Sequence, residues 1–102
     1  MRDPRVELHE KLVEILGSDQ VYFQPPASIE MTYPAIVYNR SDKDEKYANN
    51  KLYLSKTCYL ITVIEEDPDS LIPDKVAQLP LTRFVNFFVA DDLNHDVFAT
   101  YY

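Results

Sequence analysis

The run Tyr53 to Glu65 constrains this chain more than any other part of it, because aromatic and β-branched residues recur along it and neither proline nor glycine interrupts it. It predicts one long strand. Side chains alternate across a strand, which sets Cys58, Leu60 and Ile64 on one face and Tyr59, Ile61 and Val63 on the other. Both faces are apolar, whereas a sheet with one wet face alternates apolar with polar residues. Such a strand belongs in the middle of a sheet. Arg83 to Ala90 makes the same demand, since strict alternation opposes Phe84 and Phe88 to Val85, Phe87 and Val89.

The rest of the chain supplies little to cover those faces. Asp3-Pro4 reads as an N-cap with proline at the first helical position, and Gly17, the only glycine, stands where a left-handed C-cap is wanted. The helix between them carries one apolar stripe, Leu8, Leu12, Ile15 and Leu16. Val21-Tyr22-Phe23 is a short strand closed by Pro25-Pro26, so it ends there or lies at an edge. Ala35 to Asn39 is the next strand. Ser41 to Lys46 is charged without an apolar period and reads as a solvated loop, with Asn49-Asn50 turning the chain back. After the long strand, Asp69 or Ser70 caps a short helix towards Gln78, with Pro73 in its first turn. Arg83 to Ala90 and Asp96 to Tyr102 then form a terminal hairpin around Asp91-Asp92-Leu93-Asn94.

The expected fold is therefore α+β: a single domain, residues 1–102, holding one four- to five-stranded, mainly antiparallel sheet with two helices packed on one face. Two helices cover about one face. Either partner subunits cover the other, or the sheet curls and buries it in its own loops. The candidate subunit-contact residues are Tyr59, Ile61, Val63, Val85, Phe87 and Val89.

Charge narrows the function classes. The formal net charge is −7, which repels phosphate backbones rather than collecting them. The longest apolar stretch, Tyr59 to Ile64, is far short of the roughly 20 residues that span a bilayer, and Met1-Arg2-Asp3-Pro4 lacks an apolar signal region, so a cytoplasmic product without membrane contact is expected. Cys58 is the only cysteine and reads as a small hydrophobe in a strand.

Catalytic patterns are incomplete. His9-Glu10-Lys11-Leu12-Val13 begins like a zinc-protease helix but has Val13 where the second histidine belongs. Asp91, Asp92, His95 and Asp96 bunch potential metal ligands without the spacing or glycine of a calcium loop. Glu65, Glu66, Asp67 and Asp69 read as caps in a strand-to-helix turn rather than as a paired acid and base. With one glycine there is no phosphate-cradling loop, and no nucleophile elbow is present. No catalytic residue, metal ligand or cofactor is expected.

The segments Val21-Tyr22-Phe23-Gln24-Pro25-Pro26, Met31-Thr32-Tyr33-Pro34-Ala35-Ile36-Val37-Tyr38, Tyr47-Ala48-Asn49-Asn50 and Tyr59-Leu60-Ile61-Thr62-Val63 together resemble small virion proteins of long-tailed bacteriophages. These are the tail-terminator, tail-completion and head-tail joining proteins. The resemblance implies a small α/β subunit that closes into a ring, commonly of six, with itself, tail-tube and head-completion proteins as partners and DNA only as passing cargo. It implies assembly in the host cytoplasm and a place in the virion. Asp42, Lys43, Asp44, Glu45, Lys46, Tyr47, Asn49 and Asn50 are then candidates for a loop facing a neighbour or the channel, where carboxylates keep DNA from adhering. Two other readings stay open: a small acidic module or inhibitor that occupies a basic site, and a small hydrolase or metal enzyme built on Asp91 to Asp96.

Overall fold

A computed structural model of the chain describes residues 3–48 and 51–102, with side chains described for 3–41 and 57–102. In order, the elements are α1 (Pro4–Leu16), β1 (Val21–Phe23), β2 (Ala35–Ala48), β3 (Lys51–Glu65), α2 (Ile72–Ala77), β4 (Thr82–Ala90) and β5 (Leu93–Tyr101). The α+β fold is as expected. One five-stranded sheet runs β1-β2-β3-β5-β4, antiparallel throughout except where β1 lies parallel to β2. The long strand β3 is central.

The first helix is fixed by its ends. The Asp3 carboxylate accepts from the Arg5 backbone N–H at 2.8 Å, Pro4 opens the helix, and Gly17 closes it at φ 81° while donating to the Val13 carbonyl at 2.8 Å. Its stripe puts Leu8 and Leu12 at full burial against Ile36, Tyr38, Tyr59, Ile61, Val63 and Phe98, and Val76 of α2 joins the same cluster. Both helices thus sit on one face of the sheet.

That arrangement corrects part of the contact surface expected from sequence. Tyr59, Ile61 and Val63 are buried in the chain's own core beneath α1, so they are unavailable to a neighbouring subunit. The alternation along β3 is as expected; which of its two faces the helix takes is a tertiary choice.

A second correction concerns Ser41 to Lys46, which lies within β2 rather than in a loop. The antiparallel ladder carries through it, pairing Lys43 with Thr57 and Lys46 with Leu54. Backbone pairing alone defines a strand, so the ladder needs no apolar period in the sequence. The neighbouring strands pair only with Ile36–Tyr38 and Cys58–Glu65, so among the described residues β2 and β3 continue beyond the sheet as an arm bonded only to each other. Asn49 and Asn50 lie outside the described residues, and the side chains of Asp42 to Tyr47 are not described.

The second helix begins later than read. Its N-cap is Leu71, and neither Asp69 nor Ser70 holds that position, although the Ser70 hydroxyl accepts from the Ile72 N–H at 3.2 Å. The terminal hairpin is tighter than read: Ala90 pairs with Leu93, leaving Asp91 and Asp92 as a two-residue turn with φ of 54° and 63°. Two successive positive φ values match a type I′ turn, which favours aspartate, asparagine and glycine.

Candidate assembly surface

Because β5 returns between β3 and β4, the most apolar late strand becomes the sheet edge. Along β4, Phe84, Val85, Phe87, Phe88 and Val89 are exposed by 55, 42, 47, 42 and 60%. Five apolar residues in the six positions from Phe84 to Val89, interrupted by Asn86 and lying on a sheet edge, make the pattern that soluble monomers avoid with charge, proline or a cover. Leu81 and Leu71 add further exposed apolar surface.

A bulge re-aims this strand. The register shifts between Phe84 and Asn86, so Phe84 pairs with Phe98 and Phe87 with Asp96, on the helix-bearing face. Phe88 pairs with His95 on the opposite face, where the two rings stack with centroids 4.6 Å apart. Phe84 and Phe88, placed on one face by simple alternation, therefore lie on opposite faces. Val85, the extra residue of the bulge, is exposed along with Phe87 and Val89.

The face without helices is apolar too. Cross-strand partners share a face, which groups Val37, Thr62 and Val97 in one row, Leu60 and Ala99 in another, and Ala35, Ile64 and His95 in a third. Val37, Leu60, Ile64 and Val97 are half-buried.

At one end of the sheet the polar residues collect. Asn94 donates its side-chain amide to the backbone carbonyls of Glu65 at 3.1 Å and Glu66 at 3.3 Å, tying the β3–α2 turn to the β4–β5 hairpin. Glu66, Asp67, Asp69, Asp91 and Asp92, all exposed, thus form one acidic pole. The carboxylates bond within the turn instead of capping α2, which corrects the cap reading: Glu65 Oε1 accepts from the Glu66 and Asp67 N–H groups at 2.9 and 3.3 Å, and Asp67 Oδ1 accepts from the Asp69 N–H at 2.9 Å.

The hairpin pulls Asp91, Asp92, His95 and Asp96 apart. His95 faces the side without helices, Asp96 shares the helix face with Val63, and Asp91 and Asp92 occupy the turn itself. Among the described residues no group of histidine, cysteine and carboxylate side chains could hold a metal ion. Burial and the Asp74 carboxylate raise the Asp96 acid above its ordinary range, with His95 opposing them.

Sequence reasoning missed a polar network under α1. Tyr38, fully buried in β2, accepts from the Arg5 guanidinium at 3.1 Å, and its own hydroxyl lies 2.7 Å from His9 Nδ1. Arginine can only donate, which leaves the phenol O–H to donate to His9 Nδ1. Burial and the Arg5 charge lower the His9 pKa, which suits a neutral, accepting imidazole. Arg5 and His9, four apart, share a face of α1, but only the packing of α1 on β2 brings Tyr38 to them.

Compared with known protein families and with curated proteins, the chain matches none. Among the described residues no helix is long and apolar enough to cross a membrane.

Proposed function

We propose that the chain is a structural assembly subunit, a tail-terminator or head-tail joining protein of a long-tailed phage or prophage, which associates with copies of itself into a ring. The observation that carries this reading is the bare edge strand β4, with five apolar side chains exposed by 42 to 60%. An edge of that kind is stabilised by adding a neighbour, and a sheet with one free apolar edge and one face without helices offers a subunit two surfaces to share. The tyrosine-proline and tyrosine-asparagine segments that resemble tail-joint proteins supply the biological setting. On this reading the chain performs no reaction and holds no cofactor, its partners include the tail tube and head-completion proteins, and DNA passes it as cargo.

The acidic pole favours one alternative, a monomeric acidic module that occupies a basic site on another protein. The two separate in one experiment: absolute mass by light scattering after size exclusion over a concentration series, followed by electron microscopy of the largest species. The assembly reading expects multiples of 11.9 kDa and closed rings. A strict monomer at every concentration overturns it in favour of the acidic module.

A further inference from the structure

Further back along β3 from the acidic pole, α1 and β2 bring Arg5 and Arg40 to one cleft of about 350 Å³, lined by Asp3, Arg5, Phe23, Arg40, Thr57 and Tyr59. Arg5 is held in place from two sides. It donates to the buried Tyr38 hydroxyl at 3.1 Å, and its guanidinium carbon lies 4.6 Å from the Phe23 ring centroid. Arg40 is exposed, and its backbone N–H is occupied by the Gln24 side chain at 3.1 Å. In a chain with seventeen carboxylates and ten arginines and lysines, neither guanidinium has a carboxylate partner among the described residues. Asp3, the one acid among the described residues of the rim, already uses Oδ1 to cap α1.

We propose that this cleft is a carboxylate receptor whose occupant is the Asp91–Asp92 turn of a second copy of the chain. The inference rests on the assembly reading and names its contact. Arginine presents a planar fork of donors matched to a carboxylate, and a guanidinium already seated on an aromatic ring and a phenol loses little freedom on binding. The Asp91–Asp92 turn is a fitting guest because it is exposed, fixed in a two-residue hairpin and directly continuous with β4. Seating it in a neighbour also carries the apolar end of β4, Phe87 to Val89, against that neighbour.

Charge selects the guest. The Asp3 carboxylate on the rim disfavours a string of phosphates, while a single carboxylate pair is matched by two guanidiniums. The receptor and the turn are far apart on one subunit: Tyr59 and Glu65 are separated along β3 by on the order of 20 Å at strand rise. A subunit with a receptor at one place and its guest at another makes a heterologous contact, which propagates and closes into a ring where the rotation allows.

The test uses neutral variants of each half, Arg40→Gln and the double Asp91→Asn, Asp92→Asn, since asparagine tolerates the positive φ of that turn. Mass is measured by light scattering at a concentration where the wild-type chain associates, with thermal unfolding as the control for folding. Each variant alone is expected to associate roughly tenfold or more weakly, the order of effect when a close charge pair is removed from an interface. A one-to-one mixture is expected to give a species of twice 11.9 kDa and nothing larger, because one intact contact remains and the second is dead. Wild-type oligomers that both variants leave intact overturn this inference alone. A mixture that stays monomeric, or that restores full-size oligomers, also overturns it. A wild-type chain that never associates overturns the assembly reading and this inference together. Saturable shifts of the Arg5 and Arg40 Nε–Hε resonances with inorganic phosphate, in a chain whose association ignores Asp91→Asn, Asp92→Asn, assign the cleft to phosphate instead.

Discussion

Replacing Phe87 by lysine tests the edge strand with a magnitude that follows from its exposure. Phe87 leaves 47% of its surface in water in the isolated subunit. A phenylalanine side chain offers on the order of 200 Å², so roughly 90 Å² is free to be covered by a neighbour. At about 25 cal/mol per Å² that is about 2 kcal/mol for each contact the residue makes, before any penalty for placing an ammonium there. A loss of about 2 kcal/mol weakens association by a few tens of fold at 25 °C. The isolated fold should be little affected, because Phe87 lies outside the core cluster and lysine is a common occupant of protected edges. The assay is a pair of measurements on Phe87→Lys and wild type: the concentration dependence of mass by light scattering, and thermal unfolding at a concentration where both are dissociated. An association constant within about threefold of wild type, with the unfolding temperature unchanged, refutes the reasoning that β4 is the covered edge. A large fall in unfolding temperature refutes it differently, by showing that Phe87 supports the subunit itself.

Two further outcomes concern the subunit alone. Gly17→Ala should lower stability by about 1 kcal/mol, since φ is 81° there while nothing lies within 4 Å of an added Cβ, so the cost is purely backbone; Gly17→Asn should recover part of it in chemical denaturation, and equal costs would sink the C-cap argument. Asp96→Asn should stabilise the fold at neutral pH. The folded-state pKa of Asp96 is raised above 3.8, chiefly by burial and then by Asp74, so wild type loses stability as pH rises through that folded pKa. The advantage of the variant should vanish below about pH 3.8, where both side chains are uncharged, and an advantage that persists in acid would refute the electrostatic cause.

Much of the architecture was legible because it rests on local rules. Asp3-Pro4 and Gly17 delimit α1 through capping chemistry that needs no tertiary partner. The uninterrupted run to Glu65 requires a central strand, and β3 is central. Misreadings arose where pairing rather than composition decides. Ser41 to Lys46 is charged enough for a loop, but the backbone ladder with β3 carries it as a strand. The bulge after Phe84 depends on register with β5, which sequence alternation cannot see, and it moves Phe84 to the face opposite Phe88.

The candidate surfaces divide in the same way. Sequence alone determined that two strands are apolar on both faces and that two helices are too few to cover them, because side-chain alternation and element count are properties of the chain. It also determined the acidity of the β3–α2 and β4–β5 turns. Only the tertiary structure decided which apolar residues stay uncovered: α1 buries Tyr59, Ile61 and Val63, while the return of β5 beside β3 leaves β4 at the edge. The cleft holding Arg5 and Arg40 was likewise decided there, since residues on α1 and β2 meet only when the helix packs on the sheet, and that packing follows from long-range burial rather than from spacing along the chain.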